Sequence, residues 1–159
     1  MDREDRWVDP LKRLINEHEH VSEFLDYMGE IKVLLLNHIN RDQVEPIRKF
    51  LDQNVAEHFA FEEDFIFPII LSAGIATTES RELIAELQRE HEAILKDVEA
   101  FKNLVSEDSF LLDSDINPRL NELTTSIFDG LLSHSSLEDE KLLPIVKENV
   151  GLFRKSDTA

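Results

Sequence analysis

A duplicated pattern of histidines and glutamates constrains this chain more than any other feature. Glu17-His18-Glu19 returns as Glu90-His91-Glu92, and the stretch from His58 to Pro68 returns as the stretch from His134 to Pro144. In both longer copies a Glu follows the His by four residues and a Pro follows it by ten. The two halves are therefore copies of one unit, carrying a His and then a His-x-x-x-Glu. A four-residue separation sets two side chains one turn apart on the same helix face.

The apolar spacing around these motifs is helical nearly throughout. It predicts helices from Asp9-Pro10 to about Asn37, from near Asp42 to about Ser72, from Thr77-Thr78-Glu79 to about Ser106, and from 115–118 to Pro144 or slightly beyond. Asp9 is an N-cap acid before Pro10, Asp42 and Glu45 resemble a capping box with Pro46 in the first turn, and Gly74 is a stop signal. Residues 107–117 read as the longest loop and 151–159 as a polar tail. Four similar helices joined mostly by short turns predict an all-α, up-down-up-down antiparallel four-helix bundle. The expectation is a single domain over 1–159, with the bundle at about 10–150. Gly 4 and Pro 5 are too few for a turn-rich β-sandwich. Cys 0 removes disulfides, Cys-ligated zinc, iron–sulfur clusters and thiol nucleophiles together.

With about 100° of turn per residue, each His can be set against its helix's apolar stripe. His18 falls among Leu11, Leu14, Ile15, Val21, Leu25 and Leu36, and His58 among Ile47, Leu51, Val55, Phe61, Phe65 and Ile69. His91 falls among Ile84, Leu87, Ile94, Leu95 and Val98, and His134 among Leu120, Leu123, Ile127, Leu131, Leu137 and Ile145. Glu62 and Glu138 lie one turn beyond their histidines. His20 and His38 face away. A rise of about 1.5 Å per residue puts the six inward groups in one slab about two turns thick. One inward His is ordinarily a hydrogen-bonded core residue. Six groups together differ, because buried carboxylates without partners are costly. Lys141, one turn past Glu138, could neutralise it or hydrogen-bond an exogenous ligand; Phe65 holds the matching place after Glu62. Metal cations would compensate both carboxylates and fix the imidazoles, and the ligand types suit iron, zinc or manganese. The candidate metal ligands are His18, His58, Glu62, His91, His134 and Glu138.

In that order, with Phe67-Pro68 and Leu143-Pro144 following the two His-x-x-x-Glu motifs, these residues resemble the hemerythrin-like, or HHE cation-binding, domain family over about residues 10–150. The resemblance implies a non-haem di-iron centre, two irons joined by an oxo or hydroxo bridge, with open positions for a diatomic ligand (oxygen or nitric oxide) or peroxide. It implies binding or sensing of such a ligand, or iron handling. The oxygen carriers of that family bear an extra His one turn from the first on helix 3, where Leu87 and Leu95 flank His91. They end the site with an Asp five residues after the last His. Asp139 has that spacing but points about 140° from His134, so Glu138 is the expected ligand. These departures turn the expectation from simple oxygen carriage toward sensing, handling or repair.

Other readings compete. A ferritin-like di-iron site needs Glu-x-x-His on two helices, and only Glu17-x-x-His20 fits. An enzyme consuming peroxide or nitric oxide is one alternative. A metal-free helical interaction module is another, with a dimer seam over Phe59, Phe67 and Ile70, residues that otherwise pack under the N-terminal arm with Trp7 or under the long loop. The second and third members of Glu62-Glu63-Asp64 and Glu138-Asp139-Glu140 are expected to face solvent. A net charge of −17 argues against nucleic acid and anionic membranes. No apolar run is long enough to span a bilayer, and no signal peptide is visible, so a cytoplasmic monomer or homodimer is expected.

Overall fold

The computed structural model describes residues 10–35, 41–106 and 118–153. All of these are helical apart from short turns at 73–77 and 149. Helix α1 spans Pro10–Leu35. Helix α2 covers 41–72; its α-helical pieces, Arg41–Phe50, Ala56–Phe61 and Phe67–Ser72, are joined by π-helical turns at Leu51–Val55 and Glu62–Ile66. Helix α3 spans Thr78–Ser106. Helix α4 covers 118–148, with a π turn at Glu138–Leu142 between Pro118–Leu137 and Leu143–Glu148.

The ends follow local chemistry. Gly74, at φ 74°, takes the left-handed conformation that ends α2. Thr77 caps α3: the Ser80 amide donates to Thr77 Oγ1 at 3.1 Å, and the Thr77 amide donates to Ser80 Oγ at 2.8 Å. The polar tail expected from Gly151 does not begin there. Val150–Phe153 forms a short helix α5, and its Phe153 is buried with the side chains of α1–α4. One aromatic ring of that size outweighs the polar residues around it.

The π turns decide which residues face inward. On a uniform α-helix each four-residue step drifts about 40° round the axis. A π turn holds an extra residue and offsets the drift. His58, Glu62, Ile66 and Ile70 thus stay in one buried row, as do His134, Glu138, Leu142 and Val146. The expected stripe is corrected accordingly: Phe65, Ile69, Leu137 and Ile145 are only partly buried, beside Ile66, Ile70, Leu142 and Val146 at full burial. Lys141 lies in the π turn and is exposed, so it does not neutralise Glu138 from within the core. Leu95 is exposed. Phe59, Phe67 and Ile70, considered for a dimer seam, are interior.

Helix α4 packs against α1 and α3. Two apolar clusters fill the interior. One gathers Val21, Leu25, Leu51, Val55, Phe59, Ile94, Phe101 and Leu131; the other gathers Leu14, Phe61, Ile66, Phe67, Leu87, Leu142 and Phe153. The buried His and Glu residues lie between the two along each helix. Trp7, Leu36, His38, the loop at 107–117 and the side chain of Leu11 fall outside the described residues. No helix among the described residues is long and apolar enough to cross a membrane.

Candidate metal centre

Each helix delivers its polar groups from a row that is otherwise apolar. Helices α1 and α3 supply His18 and His91; α2 and α4 supply His58 with Glu62 and His134 with Glu138. All six side chains are buried, Glu62 at 0% exposure and Glu138 at 1%. They converge as two quartets, His18, His58, Glu62 and Glu138, and Glu62, His91, His134 and Glu138. Within each quartet the ligand-type atoms lie within 4.8 Å of one another. The quartets share both carboxylates, which is the arrangement two bridged cations require. His20 is exposed, as expected.

The Nε2 atoms face the centre. Those of His18 and His134 press against opposite oxygens of Glu138. Glu62 Oε1 lies 3.3 Å from His58 Nε2 and 3.2 Å from His91 Nε2. His91 Nε2 and His134 Nε2 stand 3.1 Å apart. Neither oxygen of Glu62, neither oxygen of Glu138, nor His18 Nε2 has a hydrogen-bond partner among the described residues, and all five atoms are buried. Imidazoles face these atoms and offset the carboxylates only while protonated, and buried polar atoms left unpaired cost about 1–3 kcal/mol each, more when charged. Cations between the quartets would satisfy them.

The Nδ1 atoms face outward, and each meets a second acid. His58 Nδ1 lies 2.7 Å from Glu17, His91 Nδ1 2.9 Å from Glu63, His134 Nδ1 3.0 Å from Glu90 and His18 Nδ1 3.1 Å from Asp139. A carboxylate accepts only, so each Nδ1 donates, and each Nε2, once it gives up its proton, presents a lone pair inward. This frame obeys the sequence repeat. Glu17 and Glu90 precede the histidines of α1 and α3, and each binds the His of the next helix; Glu63 and Asp139 follow the central glutamates, and each binds the His of the other half. Arg13 Nε donates to Glu17 at 2.9 Å while its guanidinium lies over the Phe61 ring at 4.0 Å. Glu63 and Asp139, expected to be merely solvated, are thereby corrected. The repeat itself carried their signal, since an acid follows both Glu62 and Glu138, as acids flank both His18 and His91, but direction alone points them outward.

Protonation reflects the enclosure. Burial works against a charged His91, yet the carboxylates of Glu138, Glu62 and Glu63 raise it to about 9. Burial likewise opposes charge on His58 and His18, and neighbouring carboxylates again win, raising both, His58 strongly. Burial and the Glu138 charge raise Glu62. Against its own burial, Glu138 is held well below the usual carboxylate range by the four histidines. Protons thus occupy the role that cations would take.

The family model of the hemerythrin HHE cation binding domain matches residues 8–146, and the chain belongs to that family. No curated protein and no solved structure matches it.

Proposed function

We propose that this chain is an up-down-up-down antiparallel four-helix bundle that holds two irons and binds a small diatomic ligand or peroxide. In this reading His18 and His58 ligate one iron, His91 and His134 the other, and Glu62 and Glu138 bridge them. The observation that carries it is the pair of quartets sharing two carboxylates, with five buried atoms that have no hydrogen-bond partner among the described residues. Mixed imidazole and carboxylate ligation suits iron, and zinc or manganese would meet the same donors. Bound there, an iron pair supplies Lewis acidity and one-electron redox chemistry.

The protein's own residues do the rest. Glu17, Glu63, Glu90 and Asp139 hold the imidazoles in one tautomer, which raises their basicity and fixes their planes. Glu62 and Glu138 would supply two of the negative charges that offset the cations. The apolar clusters above and below exclude bulk water and strengthen every charge interaction in the slab. A cavity about the size of one water molecule borders His18, His58, His134 and Glu138. That room suits one small molecule, not an extended substrate. A ligand-binding or sensing role fits a centre with so little space beside it.

The test is the ultraviolet–visible spectrum of iron-loaded protein, with and without oxygen and then with nitric oxide. The expected result is charge-transfer absorption near the ultraviolet edge that changes with the added ligand. A featureless spectrum from a protein that keeps zinc and rejects iron would overturn the iron assignment.

A further inference from the structure

The sequence repeat makes the centre nearly twofold, so the places where it fails are informative. His58 pairs with His134, hence Phe59 pairs with Ser135 and Phe67 with Leu143. Phe59 stacks on His91 with centroids 4.0 Å apart and 16° between planes, and meets His134 edge-on at 5.2 Å. Phe67 stacks on His91 as well, at 5.7 Å. The His91 ring is thus covered by two aromatic rings.

The symmetric mate of Phe59 would lie on His18 and edge-on to His58. Ser135 stands there instead, buried with His18 and His58. The cavity beside the centre opens where that ring is missing. Its other walls are Val21, Val55, Phe59 and Leu131, all apolar, so Ser135 brings the one hydroxyl among the described lining residues that are not candidate ligands. His18 also borders the open groove between α1 and α4, beside Leu143 and Asp139. Both departures from twofold symmetry therefore bare the same half of the centre.

We propose that the Ser135 hydroxyl is a specificity-determining donor: it hydrogen-bonds a small anionic or dipolar ligand held in this cavity and slows its departure. The inference rests on the proposed function above. A hydroxyl can also accept, but a ligand drawn to cations presents its negative atoms to its surroundings, and only donation meets them. Beside these apolar walls such a bond is stronger than it would be in bulk water. Neutral apolar diatomics gain little from it, whereas anions gain most.

Azide is the probe, titrated into iron-loaded wild type, Ser135→Ala, Ser135→Val and Ser136→Ala. Ser136 is the exposed neighbour and serves as the control. Iron content and helicity are measured for each variant. Ser135→Ala should keep the iron and weaken azide binding about tenfold, which corresponds to about 1.4 kcal/mol, mainly through faster dissociation. The azide stretching frequency should shift between H2O and D2O in wild type and lose that shift in Ser135→Ala. Ser135→Val, which fills the cavity, should weaken azide more than Ser135→Ala does. Iron-loaded Ser135→Ala with wild-type azide affinity and an unchanged solvent-isotope shift overturns this proposal alone. A wild-type chain that retains no iron overturns the reading on which it rests.

Discussion

Replacing Glu17 by Gln removes one negative charge while keeping an oxygen that can accept from His58. Glu17 makes the shortest of the four outer contacts, 2.7 Å, and its side chain is the least exposed of the four acids at 23%. Asp139 makes the longest, 3.1 Å, and is the most exposed at 53%. Outer partners of ligating histidines change metal affinity about 10- to 100-fold. Exposed charge pairs contribute only about 0.2–1 kcal/mol, at most about fivefold. Glu17→Gln should therefore weaken metal binding toward the upper end of the first range, and Asp139→Asn by no more than the second. Glu90→Gln and Glu63→Gln, at 28% and 36% exposure, should fall between. Competition against a coloured chelator reads all four, with exposed Glu140→Gln as the control. An inverted order, or four variants matching that control, would show that the outer acids do not brace the imidazoles.

Further outcomes follow from the same geometry. Glu62→Leu removes a fully buried carboxylate that faces His58 and His91 at 3.3 and 3.2 Å. The metal-free variant should melt lower than wild type, by about 2–4 °C per kcal/mol lost, because protonated imidazoles lose their carboxylate, and should gain nothing from added metal; an unchanged or higher melting point would mean that Glu62 does not offset those charges. Protonated His91 contributes stability fully below its ordinary pKa of 6.5, and that stability fades as pH rises through about 9. Ionised Glu138 contributes fully above 4.5, and its share fades as pH falls through its depressed folded value. Metal-free protein should thus be most stable between about 4.5 and 6.5, whereas metal binding displaces protons and should move the optimum upward; urea titrations across pH, with and without metal, check the sign. Phe59→Ala deletes the ring on His91 and should cost about 3–5 kcal/mol by denaturant unfolding; a loss below about 1 kcal/mol would place Phe59 outside the packed interior.

The six inward groups were legible because repetition and helical phase agree: each His sits among apolar residues, and each Glu lies one turn on. What phase alone could not supply was the local unwinding after each Glu. A uniform turn per residue carries Phe65 and Lys141 inward, whereas the π turns bring in Ile66 and Leu142 instead. Such a turn has no residue signature here; it follows from holding Glu62 and Glu138 at the centre while the next turn still reaches the apolar cluster. Glu63 and Asp139 were misjudged for a related reason. Direction from the helix axis says where a side chain starts, but a carboxylate at the edge of a row can still reach an imidazole on the neighbouring helix. Phe153 was hidden by its polar surroundings.

The central claim is that the four helices close around two cations. Metal content after iron loading and desalting tests it most directly, in wild type, His58→Ala and His20→Ala. Two irons per chain in wild type, two in His20→Ala and a loss in His58→Ala are the predicted results. A single equivalent in wild type, or undiminished iron in His58→Ala, would contradict it.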